Sequence, residues 1–226
     1  MYLIWLLMSV FFGLLIETTA YALIGEQFIS WQCFVTVIDQ IQKRKFQVQY
    51  IVMQSLLTGV SLCLLYKKGI NLEFLKLVYF TVMMMLIAYV DFKTTFVYRV
   101  TTLLTFMGGL FFILIESMLL KEWPIDSIIG FLIGFSAIGL IVFLTHGMGE
   151  GDIEIAALCG LFLGGVGSFL TVFLGIILGG VAGTILLIRR KKGLKDEMAF
   201  GPYLVMGAFI TMLWGNQLVD WYLGLF

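Results

Sequence analysis

The 226-residue sequence is poor in the side chains that most metal and nucleophile sites need. It holds one histidine, His146, which rules out a His-based zinc site of the H-E-x-x-H kind. Its three cysteines, Cys33, Cys63 and Cys159, are isolated; without a C-x-x-C pair there is neither a zinc ribbon nor a redox centre, and all three read as structural. No G-x-S-x-G nucleophile elbow occurs, and Ser168 follows glycines without that spacing. Charge is scarce too. Charged residues make up 12% of the chain, and its fourteen acids balance its fourteen bases, which leaves no basic surplus to mark a nucleic-acid partner.

Apolar residues are what the chain has in excess. At 61% hydrophobic and a mean hydropathy of +1.06, it cannot hide them in a soluble core, and it reads as a multi-spanning, all-α membrane protein. Apolar stretches run over about 2–24, 50–66, 75–90, 101–120, 127–145, 153–188 and 200–222. Most fit one crossing of about 20 residues. The stretch 153–188 would be about 54 Å long as one helix, against about 30 Å of hydrocarbon. It is expected to fold back at Gly164-Gly165-Val166-Gly167, which brings the expected number of spans to about eight, in a single membrane-embedded domain over 1–226.

Eight spans divide the loops into two alternating sets. One holds Lys43, Arg44, Lys45, Lys93, Arg99, Arg189, Arg190, Lys191, Lys192 and Lys195; the other holds Lys67, Lys68, Lys76 and Lys121. Lys and Arg are retained preferentially inside, so the richer set is expected to be cytoplasmic, with both termini outside. The basic clusters read as topology anchors that also meet lipid headgroups. Ala20-Tyr21-Ala22 resembles a signal-peptide cleavage site, but no Lys or Arg precedes Lys43, so the first helix is expected to be a retained span. Glu17 within that helix is expensive in lipid and is expected to face other helices.

Two carboxylates stand out against this background. Asp152 closes the run Gly147-Met148-Gly149-Glu150-Gly151-Asp152 between two apolar stretches, and Asp91 ends another in Tyr89-Val90-Asp91-Phe92-Lys93-Thr94. The loop assignment puts both on the cytoplasmic side. Two carboxylates within a few ångströms cannot both ionise, so one keeps a proton while the other polarises a water for attack on an amide carbonyl. That is the chemistry of an aspartyl protease. The glycines beside Asp152 would let helix backbones approach, and a bulky residue at Gly149 or Gly151 would push the two acids apart. Taken singly, Asp91 reads more readily as a solvated or snorkelling boundary residue than as a catalytic one, and Asp152 as readily one as the other. Glu150 and Glu154 could instead form an oxygen-ligand cation site. Gly175, Gly179 and Gly183, and the pair Gly130 and Gly134, read as helix-packing positions.

Gly147-Met148-Gly149-Glu150-Gly151-Asp152-Ile153 resembles the G-M-G-x-G-D-[VI] motif of the type IV prepilin peptidases, a branch of the GxGD intramembrane aspartyl proteases. Asp91-Phe92-Lys93-Thr94 falls where that family has its first catalytic aspartate. Phe200-Gly201-Pro202-Tyr203-Leu204-Val205-Met206-Gly207-Ala208 is similar to the family's F-G-P-[FY]-L-x-x-G-A. Asp126-Ser127-Ile128-Ile129-Gly130 resembles the helix leading into the motif, and Leu56-Leu57-Thr58-Gly59 the second helix. The resemblance implies the GxGD protease fold, with Asp91 and Asp152 catalytic and Gly147, Gly149, Gly151, Gly201 and Pro202 supporting them. It implies substrates that are prepilin or pilin-like precursors, including competence or secretion pseudopilins, cut at the cytoplasmic membrane face between a short basic leader ending in glycine and an apolar helix. Neither metal nor organic cofactor is expected.

The chain also departs from the family pattern. Glu154 stands where a lysine is usual, and Gly13-Leu14-Leu15-Ile16-Glu17-Thr18 replaces G-S-F-x-N-V. Bifunctional members carry two C-x-x-C pairs in the first cytoplasmic loop; the corresponding loop here, 25–49, has Cys33 alone, so cleavage without N-methylation is expected. The alternative function is a proton- or cation-coupled transporter, with Glu17, Glu116, Asp91 and Asp152 as its carboxylates. No internal repeat supports it, and the two aspartates share a face rather than a midplane.

Overall fold

The computed structural model describes residues 2–24, 47–145, 148–189 and 198–224. These form helices α1 (Tyr2–Ile24), α2 (Gln47–Lys68), α3 (Leu72–Thr94), α4 (Arg99–Leu120), α5 (Ile125–Thr145), α6 (Glu150–Ile188) and α7 (Gly201–Leu223), with no strand among the described residues. Most of the expected loop 25–49, including Cys33, lies outside the described residues, as do His146 and Gly147; α2 begins at Gln47. The chain falls into two compact units, Met1–Val90 and Asp91–Phe226.

In the first unit, α1 packs on α2 through polar and small residues. Ser9 and Thr58 share a hydroxyl hydrogen bond of 2.9 Å, and a side chain on Gly13 would collide with Gln54. Glu17 is buried, and the Tyr89 hydroxyl donates to its Oε1 at 3.2 Å, so this acid faces protein as its cost in lipid requires. The link from α2 to α3 is built locally. Gly69 takes φ +69 just past the end of α2, and Asn71 caps α3 by accepting the Phe74 amide at 2.7 Å.

In the second unit, α4 is polar within and apolar without. Its buried face carries Thr101, Thr102, Thr105 and Gly109, whereas Leu103, Met107, Phe111, Leu114 and Met118 are exposed. In water this would be unstable; in hydrocarbon it is the expected arrangement, because lipid solvates the outer face and small or hydroxyl residues let helices meet.

α6 is one run of residues but not one rod. Gly164 sits at φ +76, ψ −177, a conformation essentially confined to glycine. Eight residues along a straight helix span about 12 Å, yet Ser168 Oγ lies 2.7 Å from where a Cβ on Gly160 would stand. The chain therefore reverses at Gly164, within the glycine cluster where the length of the apolar stretch requires it. Asp126 holds the reversal, accepting the Gly165 amide on Oδ1 at 3.0 Å. Around it helices touch backbone to backbone. A Cβ on Gly130 would enter the Gly160 carbonyl, one on Gly134 the Ala156 carbonyl, and one on Gly207 would come within 2.7 Å of the Thr171 carbonyl. Gly175 and Gly179 likewise receive Leu204 and Phe200, while Gly183 has only ordinary contacts.

Four helices among the described residues, α3, α4, α5 and α6, are long and apolar enough to cross a membrane. α1 enters only as the shorter apolar segment Met8–Ile24, and α2 and α7 are not among the four, so this measure does not return the eight crossings expected from the sequence. An all-α membrane protein stands; the finer count does not follow from it.

Packing at glycine yields a stability prediction. Gly130→Ala forces a methyl group into facing backbone and should destabilise the protein by about 1–3 kcal/mol, whereas Gly180→Ala, with nothing within 4 Å of its Cβ position, should be neutral or gain up to about 1 kcal/mol. Thermal unfolding of the two variants in the same detergent checks the contrast.

Candidate functional site

Asp91 lies in the last turn of α3 and Asp152 in the first turn of α6, and both are buried, 4% and 6% exposed. They line one cavity of about 450 Å³, together with Thr95, Val97, Gly149 and Phe200. Asp91 is also close enough to act electrostatically on Asp152. The two acids singled out in the sequence, sixty-one positions apart, thus open onto the same space.

Each carboxylate is aimed by a helix end. α7 starts without a side-chain cap, with Pro202 in its first turn fixing the backbone for helix entry. The unpaired first amide, on Gly201, donates to Asp91 Oδ2 at 3.0 Å, so Asp91 caps α7 from another helix. Only glycine allows this approach, since a Cβ at position 201 would stand 2.6 Å from Asp91 Oδ2 and 2.9 Å from Ile155 Cδ1. Asp152 is set by the start of α6, where Gly149 is the extended N-cap residue and its carbonyl accepts the Asp152 amide at 3.1 Å.

The glycines of the aspartate motif do different things. A Cβ on Gly151 would stand 2.6 Å from Val97 Cβ, so the absent side chain makes room for the 95–98 connection. A Cβ on Gly149 would meet Asp152 Oδ2 at 3.8 Å and the Gly151 amide nitrogen at 4.0 Å, both ordinary contacts, so a methyl group fits there. The two glycines of one motif thus meet different neighbours, Asp152 and the Gly151 amide in one case and Val97 in the other. Gly147 lies outside the described residues.

Glu150 opens onto the carboxylate cavity, but Glu154 faces another recess and accepts the Thr102 hydroxyl at 2.6 Å. The two therefore do not form the joint cation site considered from the sequence. Sequence reasoning missed the 95–98 connection altogether. Thr95 ends α3 in the left-handed region at φ +54, its amide held by the Asp91 carbonyl at 2.7 Å, and Phe96 and Tyr98 stack edge to face at 5.3 Å. A β-branched residue at positive φ is strained, and this one lines the cavity. No sequence pattern announces it, for glycine or asparagine is the usual signal. Thr95→Gly should stabilise the fold by about 1 kcal/mol by relieving that strain; chemical or thermal unfolding measures it.

Comparison with known proteins bears on the same segment. The type IV leader peptidase family matches residues 78–184, which include Asp91 and Asp152. A prepilin leader peptidase/N-methyltransferase of Aeromonas salmonicida (strain A449) is 32% identical over 125 residues, 54% of this chain and 43% of the relative. Proteins of the same description from Stutzerimonas stutzeri and Xanthomonas campestris pv. campestris are 33% identical over 104 residues and 35% over 78, covering 36% and 27% of their own lengths. The chain thus matches less than half the length of these relatives. No solved structure matches it.

Proposed function

We propose that this chain, whose residues 78–184 match the type IV leader peptidase family, is a membrane aspartic endopeptidase that removes the short basic leader from prepilin or pilin-like precursors, competence or secretion pseudopilins among them. The observation that carries the proposal is the convergence of two buried carboxylates, Asp91 and Asp152, from separate helices on one cavity.

The reaction needs one proton shared between two acids. The charged carboxylate takes a proton from a water molecule as its oxygen attacks the scissile carbonyl carbon, and the protonated carboxyl gives its proton to the carbonyl oxygen. When the tetrahedral adduct collapses, the C–N bond breaks. The oxygen returns its proton to one carboxylate, and the new amine takes a proton from the other, so the pair ends as it began. Burial keeps bulk water from solvating both carboxylates separately, and the Gly201 amide holds one of them in place. The eight-span topology of the GxGD proteases, with the site at the cytoplasmic face of the cell membrane, is part of the same proposal; the count rests on the lengths of the apolar stretches and the orientation on the distribution of basic residues.

Asp91→Asn and Asp152→Asn should each abolish leader loss from a co-expressed prepilin, read as a gel mobility shift, while the protein stays in the membrane at normal levels. Glu150→Gln and Gly149→Ala should keep most of the activity, and Gly151→Ala should lose at least tenfold, on the scale of a small misplacement of a reacting group. Retained cleavage in either aspartate variant rules the mechanism out. Mass spectrometry of the mature product should show a new N-terminus without an added methyl group, since the 25–49 loop carries Cys33 and no paired cysteines.

Cysteines introduced beside Lys192 should resist a membrane-impermeant maleimide applied to intact cells, and one beside Lys68 should react. The reverse pattern would place both aspartates outside and contradict a cytoplasmic site.

A further inference from the structure

A second recess of about 450 Å³ lies among α4, α5 and the first half of α6, and Glu154 on its lining lies two residues along the chain from Asp152 on that of the carboxylate cavity. Its body is apolar, formed mainly by Leu103, Phe106, Phe131 and Phe135, and its rim carries Arg99 and Glu154. Phe131 lies against Phe106 at 5.9 Å and against Phe135 at 6.3 Å, so one wall is a continuous aromatic surface. The rim sits at the level of the aspartates, because Glu154 follows Asp152 by two residues and Arg99 begins α4 directly after the 95–98 connection. From there the recess descends along α4 for about two turns, to Phe106. The Thr102 hydroxyl fixes the Glu154 carboxylate, and no cation pairs with that carboxylate among the described residues.

The geometry points to this recess as the seat of the precursor's apolar helix, with its basic flank passing Glu154 at the rim toward Glu150 in the carboxylate cavity. This rests on the leader-peptidase reading above. Three observations select that occupant. A bond cut immediately before an apolar helix requires an apolar groove that starts near the carboxylates and follows the spanning helices away from them, and the lining of this recess runs along α4 from Arg99 to Phe106. Glu150 on the carboxylate cavity and Glu154, beside Arg99 on the rim of the recess, place two acids along the path of a lysine- and arginine-rich leader. The aromatic wall offers rigid, large contact surfaces of the kind that anchor an interface.

The test uses the full chain in lipid vesicles with a prepilin that carries a basic leader. A photoreactive p-benzoylphenylalanine at position 103 or 135, in an Asp152→Asn background that keeps the precursor whole, should cross-link to the precursor's apolar helix; the same group at exposed Met118 should not. Leu103 is 60% exposed, so Leu103→Trp fills the recess without disturbing the core. It should raise KM for the precursor about tenfold, the loss of one good anchor, with kcat within about twofold, whereas Met118→Trp should change neither. Cross-links to lipid alone, or a Leu103→Trp enzyme with unchanged KM, overturn the groove assignment while leaving the peptidase reading intact. A wild-type chain that cuts no precursor overturns both.

Discussion

The hydrogen bond from the Gly201 amide to Asp91 joins the end of one helix to the start of another, and the candidate site is arranged around it. A helix start leaves amides without partners, and a carboxylate in an apolar interior needs donors. Each satisfies the other's deficit. The bond is made without an intervening side chain, so it permits little play: residue 201 has to be glycine, Pro202 sets the direction in which α7 departs, and Phe200 closes the cavity wall. Asp152 then reaches the same cavity because α6 begins at Gly149 and the missing side chain of Gly151 admits Val97.

Below the site, glycine performs another task. Gly130, Gly134, Gly160 and Gly207 allow main chains to touch where side chains would hold them apart, and Gly164 turns a run too long for one crossing back on itself. Asp126 is the polar counterpart of that reversal, taking the amide that the broken helix leaves free. The acid near the membrane boundary is structural here, while Asp91 and Asp152 face a cavity; their surroundings, not their residue type, distinguish them.

Much of this was legible in the sequence. The two aspartates stood out because charge is so rare in the chain, and the reversal was located because its arithmetic, thirty-six residues of apolar sequence against one bilayer, allows few other solutions. The packing roles of Gly130, Gly134, Gly175 and Gly179 followed from spacing. What the sequence did not disclose depends on residues brought together from distant places: Asp126 over Gly165, Val97 on Gly151, Thr102 on Glu154. None of these partners has a periodic or local signature. The difference between Gly149 and Gly151 was equally hidden, since two identical residues in one motif are told apart only by what each faces.

The inverted polarity of α4 bears on how the protein is assembled. Thr101 donates to the Tyr98 carbonyl and Thr105 to the Thr101 carbonyl, both at 2.7 Å, so the hydroxyls on its inward face are satisfied by the helix's own backbone. Such a helix can wait alone in the bilayer, apolar outside and with no stranded donor inside, until its neighbours are synthesised. Thr102 likewise lies within reach of the Arg99 carbonyl, at 3.0 Å, but it makes its shorter bond, 2.6 Å, to Glu154, fifty-two residues later in the chain. Insertion of α4 can precede packing, but the contact that joins it to the start of α6 forms only after the downstream helix has emerged, so the rim beside the aspartates is among the last parts of this region to be completed.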